Sequence, residues 1–377
     1  MPLFLLVIFG LYSAMHVYAF LKMRSAFAFG TAPGILIGLF MALMVCSPII
    51  VRLLERQGID LPARILSYIG YGWMGVLFLF FSLSIIMDLI RVAGYAASLA
   101  LHRDPAIFMP GAKAAFLIPL ILALGISVAG FFSALDIRPV RMTLRSPGIS
   151  GEAGRLRIVQ ISDVHVGLTV RSDRLKKIAE VIRKAEPDLI VSTGDLVDGQ
   201  MNSISGLAEI LHELQPRYGK YAVTGNHEFY AGLSHALDFT SRAGFTVLRG
   251  ERVDIPGVIS IAGVDDPTGR QMGLHGGKTE TELLSGITHD TFVLLLKHRP
   301  TLEDGSTGLF DLQLSGHTHG GQIFPFGLLV KIFFPYTAGL YSLADGASLY
   351  VSRGTGTWGP PIRVLSPPEV TVIDLVP

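Results

Sequence analysis

The stretch RLRIVQISDVHVGLTVRSDRLKKIAEVIRKAEPDLIVSTGD, residues 155–195, decides the fold of the second half of this chain. It opens and closes with β-branched apolar runs, and both runs predict buried strands. Between them, in residues 172–187, apolar positions recur at helical spacing and predict a helix. Strand, helix and strand in this order form a βαβ unit, whose two strands run parallel. The sequence therefore predicts an α/β domain.

More strands are predicted downstream, at short apolar runs bounded by glycine or polar residues. These runs are KYAVTG, FTVLRG, VISIAGV, TFVLLLKH, FDLQLSG, ASLYVSRG and EVTVIDLV. Helical spacing recurs near 204–214 and 233–243. The pattern indicates a layered α/β domain that is rich in strands towards its C-terminal end.

The first part of the chain is too apolar for a water-soluble domain. The whole sequence is 50% hydrophobic and only 16% charged, with a mean hydropathy of +0.50. Four apolar runs have about the 20 residues that a helix needs to cross a bilayer, namely 2–21, 31–51, 65–87 and 114–135. We therefore predict a four-helix membrane domain over 1–150 and an α/β domain over 151–377.

The flanks of these runs predict how the chain is inserted. No basic residue precedes the first run, and that run is longer than a signal-peptide core, so it is interpreted as a retained anchor. With four spans, the N-terminus and the α/β domain share one side of the membrane. That side carries six arginines near the spans against five basic residues on the other side, which favours a cytoplasmic α/β domain in a cell membrane.

Charge and cysteine content narrow the function classes. Residues 1–150 hold 11 Lys and Arg against 5 Asp and Glu, whereas 151–377 hold 20 against 25. An acidic domain offers no electrostatic footprint for a phosphate backbone, so no nucleic-acid partner is expected. The one cysteine, Cys46, excludes an intramolecular disulfide and a cysteine metal cluster.

Polar residues gather where the predicted strands stop. The segments SDVH, GDLVDG, GNHE, KHRP and GHTHGG each follow an apolar strand. Loops at the carboxyl edge of an α/β sheet converge on one crevice, so these carboxylates, amides and imidazoles predict a metal centre. The seven candidate ligands are Asp163, His165, Asp195, Asn226, His298, His317 and His319.

In this order the segments resemble the calcineurin-like metallophosphoesterases, whose pattern is D-x-H, GD-x-x-D, GNH-[DE], H and GH-x-H. The resemblance covers residues 155–377 and every block is present. It implies a four-layer α/β-β/α sandwich, here preceded by the four-span membrane domain. It also implies a metal-dependent phosphoesterase, a hydrolase of phosphoric ester or pyrophosphate bonds.

The resemblance also implies roles for single residues. One divalent ion would be held by Asp163, His165, Asp195 and His319, and a second by Asp195, Asn226, His298 and His317. Two ions about 4 Å apart would activate a water for in-line attack on phosphorus. His227 would protonate the leaving oxygen, oriented by either Asp198 or Glu228. A shell of nitrogen and oxygen suits manganese first, with iron or zinc as alternatives.

The substrate is predicted from the tail of the sequence. The segments HTHGGQIFPFG and YVSRGTGTWGPPIRVLSPPEVTVIDL resemble a membrane-associated branch that is associated with phospholipid-type substrates or UDP-2,3-diacylglucosamine. We therefore predict hydrolysis of a lipid-linked phosphodiester or pyrophosphate, with a role in lipid metabolism. The alternatives are an anchored phosphoesterase for soluble phosphoesters or phosphoproteins, and a regulatory membrane protein without catalysis.

Three further features have open interpretations. Arg299, beside His298, and Arg270, in a glycine-rich segment, are candidate contacts for substrate phosphate. The alternative for each is an ordinary solvated arginine, as arginines in such positions usually are. Residues 323–336, IFPFGLLVKIFFPY, are unusually apolar beside a polar site. This segment is expected either to form a strand or pack into the core, or to touch the bilayer or an acyl chain.

Overall fold

The computed structural model describes residues 2–146, 154–199, 204, 206–287, 291–343 and 346–377, with side chains from residue 6 onwards. The chain forms two compact units. The first comprises Met1–Phe132 with Gly359–Ile362, and the second comprises Ser133–Trp358 with Arg363–Pro377.

The first unit is built from helices that are long and apolar enough to cross a membrane. They are α1 (Pro2–Phe27), α2 (Thr31–Arg56), α3 (Asp60–Leu101) and α4 (Ala112–Leu135), with a 3-10 turn at Pro105–Ile107. The four predicted spans are thereby confirmed as helices, and all four helices are longer than the apolar runs. The largest difference is in α3, which has 42 residues and ends where His102 turns into the left-handed region.

Polar side chains connect α1 to α3 inside this unit. The Trp73 indole N–H donates to Nε2 of His16 at 2.9 Å. The Tyr18 hydroxyl donates to Asp88 at 2.6 Å, and Lys22 forms an ion pair with the same carboxylate. Buried polar groups in such a helical unit need partners, and these contacts supply them. His16 therefore has a packing role.

The second unit contains two six-stranded sheets. The first has the order β1-β12-β2-β3-β4-β5 and the second the order β10-β11-β9-β8-β7-β6. The strands of the first sheet are β1 (Arg138–Arg145), β2 (Leu156–Ile161), β3 (Leu189–Ser192), β4 (Lys220–Ala222), β5 (Thr246–Val247) and β12 (Glu369–Val376). Those of the second are β6 (Glu251–Ile255), β7 (Ile259–Gly263), β8 (Val293–Leu296), β9 (Leu312–Ser315), β10 (Gly339–Ser342) and β11 (Ser348–Val351).

The helices of this unit lie between these strands in the chain. They are α5 (Ser172–Ala185), α6 (Ala208–His212), α7 (Asn226–Ala231), α8 (Leu233–Arg242), α9 (Pro267–Gln271), α10 (Glu280–Leu284) and α11 (Phe326–Phe333). The helix predicted over 172–187 and the one near 233–243 are confirmed as α5 and α8.

Alternation along the strands creates the layers. In β2, Ile158 belongs to a core shared by both sheets, whereas Val159 belongs to a second core that packs against α5 and α8. Successive strand residues point to opposite faces, so one buried strand serves both cores. On the far side of the second sheet, Leu283 and Leu284 of α10 cover Val293 and its neighbours. The predicted α/β-β/α sandwich is confirmed.

The predicted boundary at residue 150 differs from the structural one, which lies at Ser133. The reason is β1, which pairs in parallel with β12 over eight residues and so belongs to the second unit. Its sequence RPVRMTLR carries three arginines, so it lacks the apolar run by which the other strands were predicted. Strands β6 and β10 were also missed. Within the apolar segment 323–336, residues Phe326–Phe333 form the exposed helix α11, while Ile323 is buried and pairs with Val364 in an isolated bridge. Of the two alternatives for this segment, a strand or core element does not hold for the helix itself.

Candidate metal centre

Strand ends position the predicted ligands. All seven follow the last residue of β2, β3, β4, β8 or β9 by no more than four residues. The first three of these strands are parallel neighbours in one sheet, and the last two are parallel neighbours in the other. Their carboxyl ends therefore meet at one edge of the sandwich, as the sequence predicted.

One group of donor atoms contains Asp163, His165 and His319. Nε2 of His165 lies 3.1 Å from Nε2 of His319, and that atom lies 3.4 Å from Oδ1 of Asp163. One ligand atom from each residue falls within 4.8 Å of the other two. All three side chains are buried, so their donor atoms face each other rather than solvent.

A second group contains Asn226, His298 and His317. Nε2 of His298 lies 3.2 Å from Oδ1 of Asn226 and 3.1 Å from Nδ1 of His317. Asp195 lies between the groups, with Oδ2 at 3.3 Å from Nε2 of His298 and 3.9 Å from Nε2 of His165. One carboxylate therefore adjoins both groups.

The protonation chemistry of these imidazoles fits divalent cations. Nδ1 of His298 lies 2.8 Å from the carbonyl of Thr193, which can only accept, so this nitrogen donates and Nε2 is the atom that faces the other donors. Burial opposes a charge on this ring, but Asp195 and Asp163 raise the pKa of His298 to about 10, so a cation held at Nε2 would take the place of a proton. Burial lowers the pKa of His165 to about 4 and that of His317 to about 3, so both imidazoles are neutral at physiological pH. Neutral imidazole and carboxylate are the donors that borderline divalent metals prefer.

Backbone strain marks the same residues. Asp163, His165, Asp195, His317 and His319 all have φ between 51° and 72°, in the left-handed region that non-glycine residues rarely adopt. Each such residue costs on the order of 1–3 kcal/mol, which the rest of the fold must offset. Five strained residues in one cluster indicate that side-chain direction, not local stability, determines these loops.

The imidazole of His227 has a carboxylate partner. Its Nδ1 lies 2.8 Å from Oδ1 of Asp198, and its backbone N–H donates to Oδ1 of Asp195 at 2.8 Å. Burial opposes a charge on this ring, but Asp195 and Asp198 raise the pKa of His227 to about 9. A protonated imidazole beside the donor groups is the state that a general acid needs.

Glu228, the other predicted partner of His227, has a different task. Its carboxylate accepts from the backbone N–H groups of Asp195, Leu196 and Gly225, at 3.0, 2.8 and 2.7 Å. It therefore holds two ligand-bearing loops together. Of the two candidate partners, Asp198 is the one whose carboxylate contacts the imidazole of His227.

The two predicted phosphate contacts lie in different settings. Arg299 donates to Asp266 at 2.7 and 3.0 Å and to the Thr268 hydroxyl at 3.1 Å, so its guanidinium is engaged inside the protein. Arg270 is exposed in the last turn of α9. The structure brings neither into the donor groups described above.

Arg363 is a residue that the sequence reasoning missed. It is 1% exposed, and its guanidinium donates to the carbonyls of Gly356 at 2.6 Å and His319 at 3.1 Å. Its Nη2 also lies 3.1 Å from Nδ1 of His319. Burial and this neighbouring charge hold the pKa of His319 well below its usual range. The available signal was the arginine inside the apolar stretch PPIRVL.

Aromatic side chains adjoin the imidazoles. The ring of Trp358 lies 5.8 Å from that of His227, and Tyr230 lies 5.6 Å from it. Phe334 lies 5.0 Å from His317. Trp358 is 54% exposed, which is unusual for a tryptophan and leaves a broad apolar face beside a polar centre.

Comparisons with known proteins agree with this geometry. A family model described as calcineurin-like phosphoesterase matches residues 156–321. An uncharacterized metallophosphoesterase of Aquifex aeolicus is 44% identical over 58% of this chain and 85% of its own. One of Campylobacter jejuni is 36% identical over 58% of this chain and 59% of its own, less than two thirds. A Danio rerio transmembrane protein with metallophosphoesterase domain is 29% identical over 84% of this chain and 75% of its own.

Proposed function

The chain belongs to the calcineurin-like phosphoesterase family, and we propose that it hydrolyses a phosphodiester or pyrophosphate bond in a lipid-linked substrate such as UDP-2,3-diacylglucosamine. The family membership makes it a metal-dependent phosphoesterase, and its four apolar helices mark it as a multi-pass membrane protein. The observation that carries the proposal is the His227–Asp198 pair, which lies next to two donor groups that share Asp195.

Two divalent ions are the proposed cofactors, with manganese first and iron or zinc as alternatives. Asp163, His165 and His319 would hold one ion, and Asn226, His298 and His317 would hold the other, with Asp195 shared. When bound, such ions lower the pKa of a water and polarise a phosphoryl oxygen. The donor set of nitrogen and oxygen without thiolate supports this choice.

The residues of the chain supply the proton and its control. In the proposal, His227 donates a proton from Nε2 to the leaving oxygen, because its Nδ1 faces Asp198. Asp198 keeps the ring oriented and favours its charged form. Glu228 acts through the backbone of Asp195 and Gly225, which keeps the shared carboxylate in position.

A lipid-linked substrate is supported by the apolar groups beside the centre. Trp358 and Phe334 contact His227 and His317, which belong to different parts of the site. A small, fully hydrated phosphoester would gain little from either ring. A substrate with an apolar portion next to its phosphate would bury both and gain roughly 25 cal/mol per Å².

The test uses the full chain in detergent with Mn²⁺. Nucleotide or phosphate release is measured from UDP-2,3-diacylglucosamine and from bis-p-nitrophenyl phosphate. Asp195→Asn and His227→Ala probe the site, and Asp238→Asn and His235→Ala are matched controls, because both residues lie on α8 outside the donor groups. We expect turnover of the lipid nucleotide that the first pair abolishes and the second pair leaves intact.

The other outcomes separate the alternatives. Cleavage of the small diester alone would keep the site and remove the lipid-linked substrate. Binding of two metals without turnover of either substrate would favour the alternative of a regulatory membrane protein without catalysis.

A cytoplasmic position for the α/β unit is also proposed, from the arginines that flank the spans. A single cysteine at Glu180, which is exposed on α5, would report it in a Cys46→Ser background. Labelling by a membrane-impermeant maleimide should need permeabilised cells. Labelling in intact cells would contradict the proposal and place the α/β unit on the outer side of the membrane.

A further inference from the structure

Helix α11 has an exposed apolar surface that its own fold does not cover. No residue of the helix is buried. Ile332 is 73% exposed and Phe333 76%. An ordinary surface helix buries its apolar stripe and exposes its polar face, whereas α11 leaves its large apolar side chains exposed.

The same surface continues beyond the helix. Val364 pairs with Ile323 in an isolated bridge and accepts a hydrogen bond from the Phe324 backbone at 3.1 Å, which places Leu365 next to the base of α11. Leu365 is 82% exposed and has φ +58°. We define the α11 surface by its large exposed apolar residues, Phe324, Phe326, Leu328, Leu329, Ile332, Phe333 and Leu365.

The α11 surface is rigidly attached to the metal centre. A Cβ atom on Gly321 would lie 2.2 Å from Cα of Gly327, so the start of the helix packs directly against the GH-x-H loop. Gln322 donates to the Trp358 carbonyl at 2.8 Å and accepts from its N–H at 3.0 Å. An exposed surface held this firmly is preformed for a partner, rather than a loosely ordered loop.

Charge indicates which partner fits. Among the described residues 323–343, Lys331 is the one charged side chain, and it is exposed at the middle of the surface. A protein partner with a polar rim would meet no complementary charges here. A bilayer fits this surface better, because the apolar side chains can enter the acyl region while the lysine reaches up to the phosphate level.

Chain length supplies the second argument. Only Asp136 and Ile137 separate the end of α4 from the start of β1. Three Cα steps allow at most about 11 Å between Leu135 and Arg138, so the chain ties the start of β1 closely to the end of α4, a helix long and apolar enough to cross a membrane. A bilayer held this near has a far higher effective concentration than any diffusing partner.

We propose that the α11 surface docks on the lipid bilayer and carries the metal centre to the membrane interface. Phe334, the residue after α11, contacts His317, so a docked helix would bring the donor groups to headgroup level. This inference deepens the proposed function by naming the membrane as the docking partner. It rests on the membrane-bound character of the chain, and it does not require the lipid-linked substrate.

The test measures how deeply a probe on α11 lies in the bilayer and does not measure enzyme activity. The full chain with Cys46→Ser receives one cysteine at Ile332, is labelled with an environment-sensitive nitrobenzoxadiazole probe and is reconstituted in phosphatidylcholine–phosphatidylglycerol nanodiscs. Cysteines at Lys331 and Glu180 provide matched controls, since both side chains are exposed. Position 331 lies within the α11 surface but is expected at the phosphate level, and position 180 lies on α5, outside that surface. Quenching is compared with nanodiscs that contain lipids spin-labelled at acyl carbon 5, and thermal unfolding checks each variant.

The expected result is at least about twofold quenching at position 332, less at 331 and none at 180, because an interfacial helix reaches about 5–10 Å into the headgroup and acyl boundary. Equal and weak quenching at 332 and 180 would overturn the proposal. A blue-shifted but unquenched probe at 332 would also overturn it, because it would show a second protein copy on the surface. Since no substrate is used, failure of lipid-nucleotide hydrolysis would leave this result unaffected.

Discussion

Two parts of the second unit surround the metal centre and differ in what holds them. The five strand-end loops are buried, polar and strained, and their left-handed residues aim donor atoms at one place. The other part, Gln322–Trp358 with Arg363–Ser366, is apolar and largely exposed around α11, and among its described residues Arg363 is the buried cation. The contrast shows that the loops supply the donor atoms of the metal centre, whereas the other part supplies the apolar side chains and the buried cation next to them. Substitutions in the two parts should therefore have effects of different size and kind.

The largest effect is expected from the loop residue that joins both donor groups. Asp195→Asn removes the charge that faces His165 and His298 together. Because loss of an outer partner of a metal ligand alone costs about 10- to 100-fold, loss of this shared carboxylate should lower kcat/KM by at least about 100-fold. Steady-state assays and metal analysis of the purified variant check this. Two metals bound at full affinity would contradict it.

His227→Ala should reduce kcat by about 10²- to 10⁴-fold, the usual contribution of a general acid. Asp198→Asn should produce a smaller loss, because the imidazole remains but its orientation is weakened. Glu228→Gln should instead lower stability, since its partners are backbone N–H groups. Activity assays together with thermal unfolding separate these outcomes. A kcat of Asp198→Asn below that of His227→Ala would reverse the assigned roles.

Arg363→Gln would show whether the tail segment also supports the chemistry. The variant removes a positioning residue that contacts both the carbonyl and the ring of His319. We expect Mn²⁺ affinity to fall by about 10- to 100-fold, measured by calorimetry on the full chain in detergent. Arg242→Gln, on the exposed part of α8, is the control. Unchanged affinity would restrict Arg363 to packing.

The smallest effect is expected from α11. Replacing Ile332 and Phe333 with serine should change the free energy of unfolding of the second unit by less than about 0.5 kcal/mol per site, because neither side chain is packed. Denaturant unfolding in detergent measures this. A loss above about 2 kcal/mol would mean that these residues are buried in solution, and the contrast between the two parts would then disappear.

The sequence was sufficient to predict the secondary structure and the clustering of side chains wherever the local pattern of residues agrees with their position in the fold. Strands such as β2 and β3 are continuous apolar runs, and each ligand block follows one of them directly. Once the strands are parallel, their ends must converge, so the site could be assembled without a structure. The ambiguity between Asp198 and Glu228 concerned a contact that spacing alone cannot distinguish.

The remaining features depend on partners that are distant in sequence. Arg363 finds its carbonyl partners at Arg353, Gly356 and His319, which no local pattern connects. For segment 323–336 the sequence left open a strand or core element and a surface that touches the bilayer or an acyl chain, because an apolar run is normally buried and local pattern does not show that α11 is not. Strand β1 was missed because five of its eight residues are exposed and three are arginines.

Strand β1 has a consequence for the solubility of the second unit. It closes the side of the first sheet by pairing with all of β12, and it presents Pro139 and three arginines along its outer edge. Proline and charge on an outer strand discourage another chain from adding to the sheet. A fragment cut at residue 151, where the sequence suggests a boundary, would leave β12 as a bare, apolar rim. Such a fragment would aggregate through its exposed sheet edge, whereas a fragment beginning at Ser133 would keep β1 as the protecting edge strand.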